Sequence, residues 1–186
     1  MRHIEYKAFS IAAFEKEEKW LNEMSEKGMQ LVSVGFCRYE FEQGMPSEYV
    51  YRLEFLDSLP TSAESVAYIK FLKETGVDHV SSFFRWVYLR KKSIEGPFEL
   101  YSEINSKIKH YKRINYLCNF LIVFELIIAI IEFWAAWYKY TLNGDWFSLN
   151  TFFSVFITVL AAIIFLIGHP VRKTLKALKK EQLIRE

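Results

Sequence analysis

Two long apolar stretches in the C-terminal half constrain this chain more than any other feature of its sequence. Residues 114–138 contain only two charged side chains, and residues 149–168 contain none. Because a helix rises about 1.5 Å per residue, each stretch can cross a hydrocarbon core of about 30 Å. A buried helical hairpin in a soluble protein is the alternative, but the rest of the chain is too short to cover two such helices on all sides. We therefore expect a two-helix transmembrane hairpin.

Charged residues locate the soluble part of the chain. Residues 1–95 carry 15 acidic and 13 basic side chains between short apolar runs, which is enough chain for one modest hydrophobic core. The sequence therefore predicts a cytoplasmic domain at 1–95, an amphipathic juxtamembrane helix at 96–113, transmembrane helices at 114–138 and 149–169, a short external loop at 139–148 and a basic cytoplasmic tail at 170–186.

Lysine and arginine residues predict the orientation of the hairpin. The connecting loop holds one base, Lys139, beside Asp145, and it is rich in aromatic residues, which favour the headgroup layer. Bases are concentrated on the opposite side, and short loops rich in Lys and Arg stay inside. The chain is thus expected in a cell membrane, with both termini cytoplasmic and the lipid bilayer as a partner. The bases expected at the inner membrane surface are Lys109, Lys112, Arg113, Arg172, Lys173 and Lys176.

The N-terminal domain contains an internal repeat with an offset of 48 residues, over about 4–42 and 52–90. In each copy an amphipathic helix ends at a glycine, which suits the left-handed position after a helix, and a strand follows. Chance similarity between short amphipathic units is the alternative, but the aligned aromatic residues and glycines favour duplication. The matching positions are Trp20, Leu21, Met24 and Gly28 in the first copy and Tyr68, Ile69, Leu72 and Gly76 in the second.

Alternating apolar residues predict the strands of each copy. They include Tyr39 with Phe41, residues 49–55, and Val87 with Leu89. Residues 43–47 contain Gly and Pro and predict a hairpin turn between two of these strands. We expect an α+β fold made of duplicated βαββ units, similar to a ferredoxin-like arrangement with helices on one face of a mainly antiparallel sheet.

Several segments of the domain also resemble a known family. They are Tyr-Lys-Ala-Phe at 6–9, the helix and glycine at 18–31, the segment 39–54 and the second helix–glycine unit. Over about residues 1–92 the chain is similar to DUF2812, a group of uncharacterised membrane-associated proteins mostly of Gram-positive bacteria. The family usually has tryptophan after each helix-ending glycine, where this chain has Met29 and Val77. The resemblance implies no established activity, although such proteins are often encoded beside PadR-like transcriptional regulators.

No residue pattern typical of a catalytic or metal site is recognisable. The chain lacks the His-Glu-Xaa-Xaa-His, Cys-Xaa-Xaa-Cys and Gly-Xaa-Ser-Xaa-Gly patterns and a phosphate-binding glycine loop. Its histidines are scattered at His3, His79, His110 and His169. We expect no enzymatic activity and no cofactor.

One face of the predicted sheet, opposite the helices, is a candidate binding surface. Aromatic rings interleaved with arginines can stack on bases and pair with phosphates. Glutamates alternate with these arginines, however, and the domain is net acidic by two, so we expect no nucleic-acid binding. A ladder of Arg and Glu pairs, or a face covered by a partner protein or second subunit, fits better. The candidate residues are Arg38, Arg52, Trp86, Tyr88 and Arg90, with Glu40 and Glu54 between them.

Glu125 and Glu132 lie seven residues apart on one face of the first transmembrane stretch. An ionised carboxylate exposed to lipid costs several kcal/mol, so these groups should face protein or water, be protonated, or be paired. We expect Ser154 near Glu132 and Thr158 near Glu125. Three interpretations stay open: acids that join the hairpin or a homo-oligomer by hydrogen bonds, acids that dock to a base of a membrane protein partner, or part of a proton or solute path.

The segment 96–113 begins with Gly-Pro and continues with apolar residues at helical spacing among lysines. It is expected to lie at the anionic inner leaflet, to transmit position between domain and membrane, or simply to anchor the domain.

These features favour a membrane-anchored interaction or sensory and regulatory module whose cytosolic domain binds a protein or an unknown small ligand. The alternative is a subunit of a membrane transport assembly that uses Glu125 and Glu132 in a pathway. Two helices cannot enclose a pathway, so this alternative requires an oligomer.

Overall fold

A computed structural model describes residues 2–100, 104–144 and 148–185, which form an α+β domain and a long helical hairpin. The strands are β1 (Arg2–Tyr6), β2 (Met29–Gly35), β3 (Arg38–Gln43), β4 (Tyr49–Phe55), β5 (Asp78–Phe83) and β6 (Trp86–Lys92). The α-helices are α1 (Phe14–Glu26), α2 (Ala63–Glu74), α3 (Ile104–Asn143), α4 (Leu149–Ile167) and α5 (His169–Arg185). Single 3₁₀ turns lie at Ile11–Ala13 and Ser93–Glu95.

The six described strands form two three-stranded antiparallel sheets, with the orders β1-β3-β2 and β4-β6-β5, rather than the single sheet predicted. The sheets meet along β2 and β5, where the Val34 N–H donates to the Ser81 hydroxyl at 3.0 Å. Near this point β2 has a bulge between Leu31 and Ser33, and β5 has a bulge between His79 and Ser81. Each bulge interrupts the pairing of its strand with a neighbour in the same sheet, β3 for β2 and β6 for β5. The fold is mixed α+β, while the ferredoxin-like arrangement stays a prediction.

Residues 43–47 connect the two sheets and do not form the predicted hairpin turn. β3 pairs on both edges, with β1 and with β2, so it has no free edge for β4. The Gly44 N–H donates to the Gly28 carbonyl, and the Ser47 N–H donates to the Ser25 carbonyl, both at 2.8 Å. These bonds attach the connection to the end of α1.

The open edge of β4 is covered by side chains of α1 and α3. The Asn22 amide accepts from the N–H of Tyr51 at 2.8 Å and donates to its carbonyl at 3.1 Å. Glu18 accepts from the Leu53 N–H at 3.1 Å, and Nδ1 of His110 accepts from the next outward N–H, that of Phe55, at 3.5 Å. Satisfying an edge in this way prevents pairing with another chain and fixes both helices against the sheet.

Two described helices are long and apolar enough to cross a membrane: α3, and the nearly continuous pair α4 and α5. Only 17% and 11% of their most apolar 18-residue windows are buried, which is unlike the core helix of a soluble protein. The 40 residues of α3 extend for about 60 Å, about twice the thickness of a hydrocarbon core. The juxtamembrane helix predicted at 96–113 is expected to run into the first span, and from Ile104 onward it is the first part of the continuous helix α3; residues 101–103 lie outside the described residues.

The hairpin packs through small side chains at one end and joins the domain core at the other. Ala129, Ala136, Ser154 and Ala161 are buried between α3 and α4, where small residues allow close approach of helices. At the other end, α3 and α5 belong to one hydrophobic cluster with α1 and the sheets. The members that α3 and α5 contribute are Ile108, Tyr111, Ile114 and Cys118 of α3 and Val171, Leu175 and Leu178 of α5. We call the first part of α3, residues 104–118, the stalk.

Candidate functional site

The described residues enclose an aromatic cavity of about 380 Å³ between α1 and the turns that follow β2 and β5. This volume is in the range of small-molecule sites, which are mostly apolar with a few polar groups. Phe36 and Phe84 lie in the two turns and are 82% and 60% exposed. The rings that line the cavity belong to Phe9, Phe14, Phe36, Tyr39, Phe83, Phe84, Trp86 and Tyr88.

Glu17 is the only acidic residue among the described residues that line the aromatic cavity. It lies on α1, is 7% exposed, and accepts hydrogen bonds at Oε1 from the hydroxyls of Tyr39 at 2.7 Å and Tyr88 at 2.6 Å. Burial raises the pKa of Glu17, and the two hydroxyl donors only partly offset that shift. The carboxyl is therefore held in place by sheet residues while it faces an apolar space.

Two walls of the cavity are in direct contact with the stalk. The ring of Phe14 lies 5.0 Å from that of His110 and 5.5 Å from that of Tyr111, measured between centroids. Trp86 lies 5.4 Å from Phe14 and 5.9 Å from His110. Close packing transmits small displacements, so a change in the cavity bears directly on the helix that continues into the apolar hairpin.

His110 is fully buried at this junction. Burial lowers its pKa to about 3, and the neighbouring charge of Arg113 adds to the shift. The imidazole is thus neutral, consistent with Nδ1 accepting from a backbone N–H.

The predicted face of five residues does not form a common surface. Trp86 and Tyr88 are 8% and 3% exposed and lie in the core, because α1 and α3 cover the side of β6 that carries them. Arg52 projects from the opposite side of β4 and pairs with Glu18 at 3.1 Å. Trp86 and Tyr88 nevertheless line the aromatic cavity, so their role in binding stays a prediction with a different geometry.

Arg38 and Arg90, the other two arginines of the predicted binding face, each pair with a nearby acidic side chain. Arg38 pairs with Glu40 at 2.5 Å on the outer side of the first sheet. The guanidinium of Arg90 lies 4.1 Å from the ring centroid of Tyr49 and 3.8 Å from Asp78. Both arginines therefore have acidic neighbours, but the two pairs lie on different sheets and do not form a common ladder.

The hydroxyls predicted to bond the intramembrane acids have other partners. Ser154 donates to the Ala129 carbonyl at 3.1 Å, and Thr158 donates to the Ser154 carbonyl at 2.8 Å, as hydroxyls in helices often do. Glu132 instead accepts from the Asn150 amide at 2.7 Å, and the carbonyl of that amide accepts from Lys139 at 2.8 Å. The docking and pathway interpretations of both acids stay predictions.

Two of the six bases predicted at the inner membrane surface make contacts within the chain. Arg113 is 17% exposed and pairs with Asp57 at 2.5 Å and with the buried Glu54 at 3.6 Å. Arg172 folds back onto α4, where it donates to the Phe165 carbonyl and lies over the Phe165 ring. The remaining four, Lys109, Lys112, Lys173 and Lys176, are exposed.

A second, more polar cavity of about 440 Å³ lies beside Arg113. It is lined by acids and bases together, including Glu54, Asp57 and Lys109. Burial raises the pKa of Glu54, while a hydrogen bond from Tyr68 and the charge of Arg113 oppose the shift. Since its charged groups pair with each other, this cavity resembles a structural ion cluster more than a ligand site.

The apolar stripe of α1 contains one sequence feature that indicates the aromatic cavity. Phe14, Leu21 and Met24 form the apolar stripe of α1, and Glu17 lies within that stripe. An acidic residue at a core position must be bonded or must serve a site. Its tyrosine partners could not be identified in advance, because they come from two different sheets.

The chain matches the family model described as "Protein of unknown function (DUF2812)" over residues 13–123, more than half of its length. This match confirms the predicted family and reaches beyond the resemblance, through the stalk and into the apolar part of α3. No curated protein and no solved structure matches the chain.

Proposed function

Because this chain belongs to the DUF2812 family of proteins of unknown function, its own residues are the basis for a function, and we propose that it is a membrane-anchored sensory or regulatory module. The two apolar helices cross a bacterial cell membrane and both termini lie in the cytoplasm. The α+β domain binds a small ligand in the aromatic cavity. Ligand binding changes the position of the stalk, and the stalk transmits this change to the membrane helices. The proposal assigns no catalytic step to the domain.

The contact of Phe14 and Trp86 with the stalk is the observation that carries this proposal. Both rings line the cavity and both pack on His110 of α3. A ligand that binds against these rings therefore shares two residues with the interface between domain and hairpin. A chain segment that only tethers the domain would not need to share residues with the cavity, because a flexible linker can hold a domain at a membrane without packing on the domain.

The two halves of the domain are proposed to be copies of one βαββ unit. Each half has the same order of elements and of strands within its sheet, which supports this proposal. The left-handed glycines Gly28 and Gly76 and the bulges of β2 and β5 also recur at the same offset of 48 residues. Because the cavity lies between equivalent turns of the two copies, duplication would have created it.

Cysteine labelling in intact cells tests the membrane arrangement. In a chain carrying Cys37→Ser and Cys118→Ala, Leu142→Cys lies at the loop end of α3 and Ile94→Cys lies in the domain; the native side chains are 65% and 92% exposed. A membrane-impermeant maleimide should label Leu142→Cys in intact cells and Ile94→Cys only after permeabilisation. Labelling of both positions only after permeabilisation, or of Ile94→Cys alone in intact cells, would contradict the proposal.

A further inference from the structure

The aromatic cavity has the composition of a site for a positively charged organic molecule. Aromatic faces carry negative potential and attract cations within about 6 Å of the ring centroid. The protein already uses its rings in this way at the edge of the cavity, where the Nζ of Lys7 lies 4.6 Å from the Trp20 ring centroid and 5.3 Å from that of Phe9.

Glu17 supplies a negative charge inside the cavity that its protein partners leave partly unused. Both tyrosine hydroxyls donate to Oε1, and no hydrogen bond joins Oε2 to any residue within the described ranges. Burial raises the pKa of this carboxyl because the ionised form has lost water. A cation bound beside Oε2 would restore that lost stabilisation.

Lys7 does not serve as the counter-ion of Glu17. It is the only basic side chain among the described residues that line the cavity, and the ion pairs found in the described part of the chain do not join it to Glu17. An anionic ligand could reach Lys7, but it would enter a space that contains a buried carboxyl. Electrostatics therefore favour a cation.

We propose that the ligand of the aromatic cavity is an organic cation, a substituted ammonium ion with an apolar body, bound between the aromatic rings with its charge beside Glu17. This inference rests on the proposed function and adds the chemical class of the ligand. The exposed rings of Phe36 and Phe84 form the entrance.

Two probes of nearly equal shape separate charge recognition from apolar binding. Phenyltrimethylammonium is cationic, and tert-butylbenzene is its neutral isostere. Equilibrium dialysis against the full-length protein in nanodiscs, with empty nanodiscs as the reference, gives the affinity of each. The cation should bind at least tenfold more tightly than the isostere. Equal affinity, tighter binding of the isostere, or no binding of the cation at millimolar concentration would overturn the proposal.

Glu17→Gln tests the role of the carboxyl, since it removes the charge and keeps an oxygen that can accept from both tyrosines. It should weaken binding of the cation at least tenfold and leave the isostere unchanged. Glu26→Gln is the matched control, because Glu26 is exposed on the same helix. If Glu17→Gln does not fold, Phe36→Ala at the exposed entrance should weaken binding of the cation instead. Unchanged cation affinity in the folded variant would overturn the assignment.

The cation-binding measurements and the cysteine-labelling experiment test different claims, so either can give a negative result without the other. Expected labelling without cation binding would overturn the ligand class and leave the membrane-anchored module in place. Cation binding by a chain whose loop is not labelled from outside would support the ligand class and contradict the membrane arrangement.

Discussion

At the scale of single residues, two buried polar side chains define the site. Glu17 and His110 both occupy core positions, and each is tied to the domain by a hydrogen bond to another element. Burying such groups costs free energy unless they are bonded. Their environments shift their pKa values in opposite directions, upward for the carboxyl and downward for the imidazole. Both shifts arise because burial opposes the charged form, and a cation bound beside Glu17 would counter the shift of that carboxyl.

His110 should make the protein less stable in mild acid. Its pKa is about 3 in the folded chain and about 6.5 when unfolded, so between these values only the unfolded chain takes up the proton. The free energy of unfolding should therefore fall as pH drops below 6.5, by about 2 kcal/mol at pH 5. Denaturant unfolding of the full-length protein in detergent at pH 7 and pH 5 measures this change.

His110→Phe is the matched variant, since it keeps an aromatic ring and cannot titrate. Glu17 and Glu54 have raised pKa values, so they contribute in the opposite direction: they add to the free energy of unfolding as pH falls through their folded pKa toward the lower unfolded value. Because they are present in both proteins, the difference between wild type and variant isolates His110. Identical pH dependence in the two would refute this account of His110.

At the scale of elements, side chains from helices replace a missing strand beside β4. Asn22 bonds both backbone groups of Tyr51, so it acts as one residue of a neighbouring strand. Asn22→Ala leaves these groups unpaired and should lower the local opening free energy of β4 by about 2 kcal/mol. Hydrogen–deuterium exchange of peptides covering 49–55 should then be at least about tenfold faster than in wild type.

Glu26→Ala is the control for this exchange experiment, because it changes an exposed side chain on the same helix. It should leave the exchange of β4 unchanged. Equal exchange in Asn22→Ala and Glu26→Ala would show that Asn22 does not hold the edge.

The small residues between α3 and α4 provide a second prediction at this scale. Ala161 is 3% exposed, while its neighbour Ala162 is exposed. Ala161→Leu forces the helices apart and should cost about 1–3 kcal/mol, whereas Ala162→Leu should cost almost nothing. The thermal midpoint of the full-length protein in detergent should fall only for Ala161→Leu. Similar midpoints for both variants would contradict the packing described here.

Sequence patterns predicted the elements better than their partners. The apolar stretches and the alternating residues of β4 and β6 indicated helices and strands correctly, because periodicity is a local property. Pairing is not local: the strand orders and the division into two sheets depend on residues far apart in the chain. For the same reason Trp86 was predicted on an open face, although α1 and α3 cover it.

At the scale of the whole molecule, part of the domain core forms one hydrophobic cluster with the domain-side ends of α3 and α5. Phe14 and Trp86 of this cluster line the aromatic cavity and also contact the stalk. A ligand that shifts Trp86 or Phe14 by a fraction of an ångström must also move or strain the stalk, because packed interiors are not freely compressible. The molecule is therefore suited to link occupancy of the cavity to the state of its hairpin.

Variants of Glu125 and Glu132 separate this account from a transport role. Glu125→Gln and Glu132→Gln combined should leave the affinity for phenyltrimethylammonium unchanged, because both lie far along α3 from the cavity. Trp86→Ala should lower that affinity, because the ring lines the cavity. In cells, loss of a phenotype in the double variant while Trp86→Ala has no effect would instead support a transport subunit.

The most direct test of coupling is hydrogen–deuterium exchange of the full-length protein in nanodiscs with and without phenyltrimethylammonium. Protection of β3 and β6 reports that the cavity is occupied, and exchange of residues 104–118 reports the state of the stalk. We predict that the probe slows exchange in both regions of the wild type and in neither region of Glu17→Gln. Protection of β3 and β6 with unchanged exchange in the stalk would contradict the link between cavity and hairpin.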